Sequence, residues 1–300
     1  MNYHEPVLLK ESIDGLNIQP DGIYVDVTFG GGGHSREILK RLDKGRLVAF
    51  DQDVDALSNA IQDDRFTLVQ GNFRFISQYL HYLHIEQVDG ILADLGVSSH
   101  HFDEGERGFS FRFEGELDMR MNRHSTFSAK EVINEYTEKQ LSSLFYEYGE
   151  INNAGKLAQL IVAARQKKAL NTIPELVSVI ETCIPKAIES KYLAKVFQAL
   201  RIEVNKEMMS LKALLEQAPA IMKPKARLSV IAYHSLEDRL VKNFIRSGNF
   251  EGTVEKDFYG NTHTILKAVH NKVIVPTENE MTLNPRARSA KLRIAEKAVI

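Results

Sequence analysis

Along the first hundred residues, short apolar runs alternate with segments of helical spacing. Gly22-Ile23-Tyr24-Val25-Asp26-Val27 predicts a buried strand, and beyond a glycine turn residues 35–42 predict a helix. Arg46-Leu47-Val48-Ala49-Phe50 is a second strand, followed by a helical stretch over 54–61. Phe66-Thr67-Leu68-Val69 and Val88-Asp89-Gly90-Ile91-Leu92-Ala93 supply a third and a fourth. Apolar strands separated by helices imply a mostly parallel sheet covered on both faces.

The rhythm stops after the fourth strand. Residues 97–127 are rich in Gly, Ser, Phe and charge and read as a long ordered loop, and from Ser128 to about Ala218 nothing has strand character. Helix starts recur there: Ser128-Ala129-Lys130-Glu131, Thr137-Glu138-Lys139-Gln140 and Thr172-Ile173-Pro174-Glu175 all fit the capping-box pattern. Strand character returns at Arg227-Leu228-Ser229-Val230-Ile231-Ala232, with a helix from Leu236 to about Arg246 and further strands near 264–269 and 290–295. The expected architecture is α/β, a doubly wound, mostly parallel sheet interrupted by an all-helical insertion. Residues 1–105 and 213–300 form the sheet domain and 106–212 the insertion. Such an insertion springs from the carboxyl edge of the sheet, where these folds bind ligands, and is a natural substrate domain.

Composition narrows the setting. The 300 residues are 43% hydrophobic and 26% charged, as in an ordinary globular protein. The single cysteine, Cys183, excludes an internal disulfide and any cysteine metal cluster. The opening residues show no basic stretch followed by an apolar run, and no segment approaches the ~18 apolar residues of a membrane span. A cytoplasmic protein with no membrane partner is expected. The net charge of −2 conceals an asymmetry, with −9 over 1–110, +1 over 111–220 and +6 over 221–300. Only the last third could offer a polyanion a basic face, and Arg286 and Arg288, two apart on what reads as an extended segment, would share one side.

The candidate chemistry sits at strand ends. Asp26-Val27-Thr28-Phe29-Gly30-Gly31-Gly32-Gly33-His34 follows a strand and opens a helix, which lets backbone approach a ligand closely. The dinucleotide pattern G-x-G-x-x-G fails, because the third glycine would fall at Ser35. An acid four residues before a G-x-G is instead the arrangement of the first methyltransferase motif. Asp51, after the second strand, suits a ribose diol of either adenosylmethionine or a nicotinamide dinucleotide. Phe73, after the third, would stack on an adenine ring or join the core. Asp94 ends the fourth strand in Ala93-Asp94-Leu95-Gly96 and faces the cleft.

These residues belong to longer motifs. His4-x-Pro6-Val7-Leu8-Leu9, Thr28-Phe29-Gly30-x-Gly32-Gly33-His34, Asp94-Leu95-Gly96-Val97-Ser98-Ser99, Arg107-Gly108-Phe109-Ser110-Phe111 and Leu117-Asp118-Met119-Arg120-Met121 come first. Phe197-Gln198-Ala199-Leu200-Arg201-Ile202, His234-Ser235-Leu236-Glu237-Asp238-Arg239 and Asn284-Pro285-Arg286-Ala287-Arg288-Ser289 follow. With them the chain resembles, nearly end to end, the bacterial 16S ribosomal RNA cytosine-N4 methyltransferases, the ribosomal RNA small subunit methyltransferase H family. The resemblance implies a Rossmann-like class I methyltransferase that uses S-adenosyl-L-methionine to methylate N4 of a cytidine in the decoding region of 16S ribosomal RNA in the small subunit. It also implies that the helical insertion is the RNA substrate domain. Cofactor contacts would fall on Gly32, Gly33, His34, Asp51, Phe73 and Asp94. A further contact, usually a glutamine after a proline, corresponds here to His101 after His100.

Methylating an exocyclic amine requires an acceptor for its proton, because the nitrogen lone pair is delocalised into the ring. Asp94 is the first candidate for that acceptor or for orienting the cofactor. His234, at the end of the fifth strand, is the second, and as a core histidine it would have no catalytic part. Ser235-Leu236-Glu237-Asp238 reads as a helix cap led by Ser235, not a hydrolase nucleophile, since no G-x-S-x-G is present. No histidine spacing matches a metal-ligand set, so no metal is expected. Phe109-Ser110-Phe111-Arg112-Phe113 would either stack RNA bases or pack the insertion against the main domain. Two other functions compete: a non-catalytic RNA-binding or ribosome-assembly factor on a methyltransferase-like fold, and a nicotinamide-dependent oxidoreductase.

Overall fold

The computed structural model describes residues 6–97, 104–254 and 264–299. The chain divides into two compact units, one of residues 1–96 with 208–300, the other of residues 97–207. The first contains a seven-stranded sheet of order β3-β2-β1-β4-β5-β7-β6. Its strands are β1 (Ile23–Asp26), β2 (Arg46–Asp51), β3 (Phe66–Gln70), β4 (Val88–Asp94), β5 (Met222–Ala232), β6 (Leu266–Ala268) and β7 (Lys291–Lys297). The first five are parallel, while β7 lies antiparallel between β5 and β6.

Side chains of the central strands alternate between the two faces, as a period of two demands. Val25, Val48, Phe50, Ile91, Ala93, Leu228 and Val230 share one core. They pack there with Ile76 and Leu80 of α3 (Ile76–Tyr82), Leu211, Leu214 and Leu215 of α9 (Glu207–Ile221), and Val241 and Ile245 of α10 (Ser235–Ser247). Tyr24, Leu47 and Leu92 face the other way, onto α1 (Leu9–Leu16) and α2 (Gly33–Arg41). Burial on both sides is why these strands are apolar at consecutive positions. Because β2 lies on one side of β1 and β4 on the other, the strand order reverses there, and the carboxyl ends of β1 and β4 flank a crevice.

The second unit is helical: α4 (Ala129–Glu135), α5 (Glu138–Glu147), α6 (Ala154–Arg165), α7 (Ile173–Ile180) and α8 (Glu189–Asn205). Ser128, Thr137 and Thr172 each accept a backbone N–H in the first turn, while Glu131, Gln140 and Glu175 reach back to the cap. All three are capping boxes, a device whose cap residue alone contributes about 1 kcal/mol. The unit has its own core, centred on Leu141, Phe145, Leu157, Ile161, Val196 and Leu200. A short helix α11 (Glu278–Leu283) belongs to the sheet unit.

In the fold, the structure differs from the sequence reading at the unit seams and at three elements. The unit seams lie at 96/97 and 207/208 instead of 105/106 and 212/213. Val97 and Phe109 pack in the helical core, whereas Leu211 packs under the sheet. Residues Val54–Asn59 form a 3₁₀ segment capped by buried Asp53 instead of an α-helix. β5 begins at Met222, hidden in sequence by Pro224 and its flanking lysines. Pro285–Ser289 is a 3₁₀ turn capped by Asn284, not extended chain, so Arg286 and Arg288 point to different sides. No described helix is long and apolar enough to cross a membrane.

Candidate active site

β1 ends on Asp26, which is 1% exposed and accepts hydrogen bonds from Ser35 Oγ at 2.6 Å and the Thr28 N–H at 3.1 Å. Burial, opposed by these bonds, pushes its carboxyl up to about 6. This acid ties the start of α2 to the turn that precedes it. In that turn Gly30 and Gly32 take φ of 49° and 74°, the left-handed region where glycine has no steric penalty. Gly33 is small for another reason: a Cβ there would come within 2.2 Å of Pro6 Cγ. No side chain caps α2, leaving the backbone N–H groups of its first turn to other partners.

Asp51, at the end of β2, is engaged on both oxygens. Oδ2 accepts the Gly30 N–H at 2.8 Å and Oδ1 the Asp53 N–H at 2.8 Å. The residue thus pins the glycine turn to the neighbouring strand. After β3, Asn72 Nδ2 donates to Gln52 Oε1 at 2.8 Å, linking this loop to the one after β2. Phe73 is half-buried against the sheet core and starts a 3₁₀ turn capped by Asn72.

Asp94 ends β4, and its own N–H donates to Thr28 Oγ1 at 2.7 Å, which joins it to the glycine turn. Its Oδ1 accepts the Tyr233 hydroxyl at 2.8 Å. Its Oδ2 lies 3.8 Å from His34 Nδ1 and accepts no hydrogen bond among the described residues. The side chain keeps 23% of its surface exposed, yet protein crowds it enough to push its carboxyl up to about 7. Desolvation is the main cause, opposed by Tyr233 and helped by repulsion from Asp26 and Glu237. His34 is held down to about 4 by burial, so its ring is neutral. Its Nε2 lies 3.3 Å from the Val7 carbonyl, which can only accept, so Nε2 carries the hydrogen. The Nδ1 lone pair therefore looks toward Asp94 Oδ2 across 3.8 Å.

His234 has another task. Its Nδ1 accepts the Glu237 N–H at 3.4 Å and its side chain is 8% exposed, so the ring is the N-cap of α10, in a capping box with buried Glu237. The cap expected at Ser235 is thus one residue earlier, because an unprotonated imidazole nitrogen accepts as a hydroxyl oxygen does. His234 does not present a free ring to a substrate. His101 lies outside the described residues. In the helical unit Phe109 is buried in that unit's own core and Phe111 packs edge-on to Phe197 with centroids 5.7 Å apart, while only Phe113 is exposed. Phe109 is therefore held in that unit's core, and Phe111 packs against it.

The candidate residues converge on one edge: the turn of Gly30 to His34, Asp51, Phe73 and Asp94 all lie at carboxyl ends of β1 to β4. Tyr233, which no motif singled out, joins them. A polar aromatic directly after the apolar run of β5, whose Ile231 pairs with Asp94, was the available signal.

The model of the MraW methylase family matches residues 1–298. A protein of Bacteroides thetaiotaomicron called ribosomal RNA small subunit methyltransferase H is 59% identical over 298 residues, covering 99% of this chain and 98% of that one. Proteins of the same description from Bacteroides fragilis and Flavobacterium johnsoniae are 60% and 58% identical, over 98% and 99% of this chain and 97% and 98% of theirs.

Proposed function

The chain belongs to the MraW methylase family, and from that premise we propose that it transfers a methyl group from S-adenosylmethionine to the N4 amine of a cytidine in the decoding region of 16S ribosomal RNA. The reading places it in the cytoplasm, acting on the small ribosomal subunit. The observation that carries it is the Asp94 carboxyl, set at the carboxyl edge beside the glycine turn, with one oxygen held by Tyr233 and the other accepting no hydrogen bond among the described residues.

The donor set fits adenosylmethionine. A carboxylate at the end of β2, as Asp51 is, suits a ribose diol, the uncapped start of α2 suits a carboxylate, and Asp94 and the His34 Nδ1 lone pair suit a group rich in N–H or positive charge. A dinucleotide would instead bring a pyrophosphate to an edge that carries Asp26, Asp51, Asp53 and Asp94. Arg36 at that turn is turned onto the Gly31 carbonyl at 2.6 Å. When bound, the cofactor supplies an electrophilic methyl group on a positively charged sulfur.

The residues of the chain have two further tasks. They hold the target amine in line, which supplies several kcal/mol of the barrier by placement alone. They also take a proton: as nitrogen takes the methyl group and the methyl–sulfur bond breaks, leaving the neutral thioether S-adenosylhomocysteine, one amine hydrogen would pass to Asp94 Oδ2, whose proton affinity near neutrality suits a general base. Asp26 and Thr28 fix the turn, and Thr28 ties it to Asp94. The helical unit and the positive charge of residues 221–300 are assigned to holding RNA. Tritiated methyl transfer to 30S particles lacking the modification, followed by nucleoside analysis, tests the whole reading. Label in N4-methylcytidine is expected, and label in another nucleoside or none would overturn it.

A further inference from the structure

Tyr233 stands at the end of β5 with its phenol directed at Asp94 and its backbone N–H donating to Glu237 Oε2 at 2.9 Å. Glu237 is 1% exposed and belongs to the capping box of α10, so the residue is fixed from behind by a buried carboxylate. We propose that Tyr233 is a positioning residue for methyl transfer: its hydroxyl holds Oδ1 of Asp94 so that Oδ2 is presented to the target amine. This rests on the reading of Asp94 as the proton acceptor.

The geometry leaves the two oxygens unequal. Oδ1 accepts the phenol at 2.8 Å, whereas among the described residues Oδ2 accepts no hydrogen bond and lies 3.8 Å from His34 Nδ1. A carboxylate gripped on one oxygen cannot turn about its last bond, so the open oxygen keeps a fixed direction. Tyr233 itself is no base, since burial, Asp94, Glu237 and Glu280 hold its hydroxyl well above the ordinary phenol range. Its O–H bond stays intact throughout, and the amine proton goes to Oδ2. The hydroxyl also counters the groups that discourage ionisation of Asp94. Facing that carboxyl are Asp26 from β1, neutral His34 from α2 and Glu237 from α10, and with burial the two acids raise it. Glu280 of α11 acts on Tyr233. Among the described residues, the Tyr233 hydroxyl is the side-chain donor that favours the ionised form.

The test is single-turnover methylation of unmodified 30S particles at saturating adenosylmethionine, from about pH 5.5 to about 9.5, with a parallel ¹³C titration of the Asp94 carboxyl in RNA-free protein. In Tyr233→Phe the acid limb and the carboxyl titration should both move up by about one to two pH units, the equivalent of one charge-assisted hydrogen bond. At pH 7, where the parent carboxyl is about half ionised, the rate should fall about 5- to 50-fold and recover largely on the alkaline side. Placing 3-fluorotyrosine at 233 makes a stronger donor of nearly the same size and should move the limb the other way, a reversal that a packing role does not produce. An unmoved limb and titration in both variants, or a loss equal at every pH, overturns the proposal. Asp94→Asn run alongside separates the two ideas. If it keeps the parent rate and limb, the acceptor reading fails and Tyr233 falls with it. If it is inactive while both Tyr233 variants keep the parent limb, only the Tyr233 proposal fails.

Discussion

Asp51 accepts the backbone N–H of Gly30 at 2.8 Å across 21 residues of chain. The acid we propose for cofactor binding is therefore also a structural tie between β2 and the glycine turn. Its removal acts twice, through the lost ligand contact and through a loosened turn. Asp51→Ala should weaken adenosylmethionine binding about 10- to 100-fold, since hydrogen bonds to charged groups contribute ~1.5–3 kcal/mol. Asp51→Asn keeps an acceptor for Gly30 and should lose less. Calorimetry checks both, and equal affinity in all three proteins would remove Asp51 from the site.

The unit seams define a clean excision. Replacing residues 97–207 by a Gly-Ser linker should spare cofactor binding and abolish methylation of RNA, because the sheet unit retains its core. A cut extended to 212 would strip Leu211 from under the sheet and should cost folding as well. Normal turnover by the shorter protein would end the assignment of RNA binding to the helical unit.

How far the sequence revealed this depends on the range of the interactions involved. The caps at Ser128, Thr137 and Thr172 are legible because donor and acceptor lie three residues apart. Asp94 is legible because an acid ending an apolar strand has few other reasons to be there. Tyr233 is not, since its partner is 139 residues away. His234 as a cap is masked by the serine beside it, a commoner cap. The turn at 285–289 is missed because its one strong signal, Asn284 before a proline, is weaker than the extended look of alternating Arg and Ala. Phe109 and Phe111 look like base-stacking aromatics until the core that contains them is seen.

That turn changes what Arg286 and Arg288 can do. Both are exposed, but on a 3₁₀ turn residues two apart lie ~240° from one another about the axis. One RNA backbone running past the turn meets only one of them. Changing both to Ala should lower RNA affinity and reduce the salt slope by about one counterion, not two. Binding isotherms across a range of salt concentrations decide this, and an unchanged slope would leave both arginines out of the interface.

The last prediction sets stability against activity at Asp94. Its carboxyl is raised to about 7 in the fold from 3.8. Between those values the native state holds more protons than the unfolded state, so stability falls as pH rises through the window, and the full cost stands above pH 7. Three units correspond to ~4 kcal/mol, and with 23% of the side chain exposed about half of that is expected. Asp26, raised to about 6, acts with the same sign, and His34, lowered to about 4, with the opposite sign. Both remain in the variant, so His34 cancels in the comparison, while Asp26, relieved of repulsion from Asp94, adds to the stabilisation. Asp94→Asn keeps an oxygen for the Tyr233 hydroxyl and removes the ionisation, so it should be more stable than the parent by about 2 kcal/mol at pH 8 and by less at pH 5. Urea titrations at the two pH values measure this, and a gap that does not widen with pH would mean that Asp94 is not the strained acid. The same variant should methylate RNA slower by orders of magnitude while binding adenosylmethionine nearly as well, because the acceptor works in the transition state. If affinity collapses instead and saturating cofactor restores the rate, Asp94 anchors the cofactor, and the proton must leave by another group.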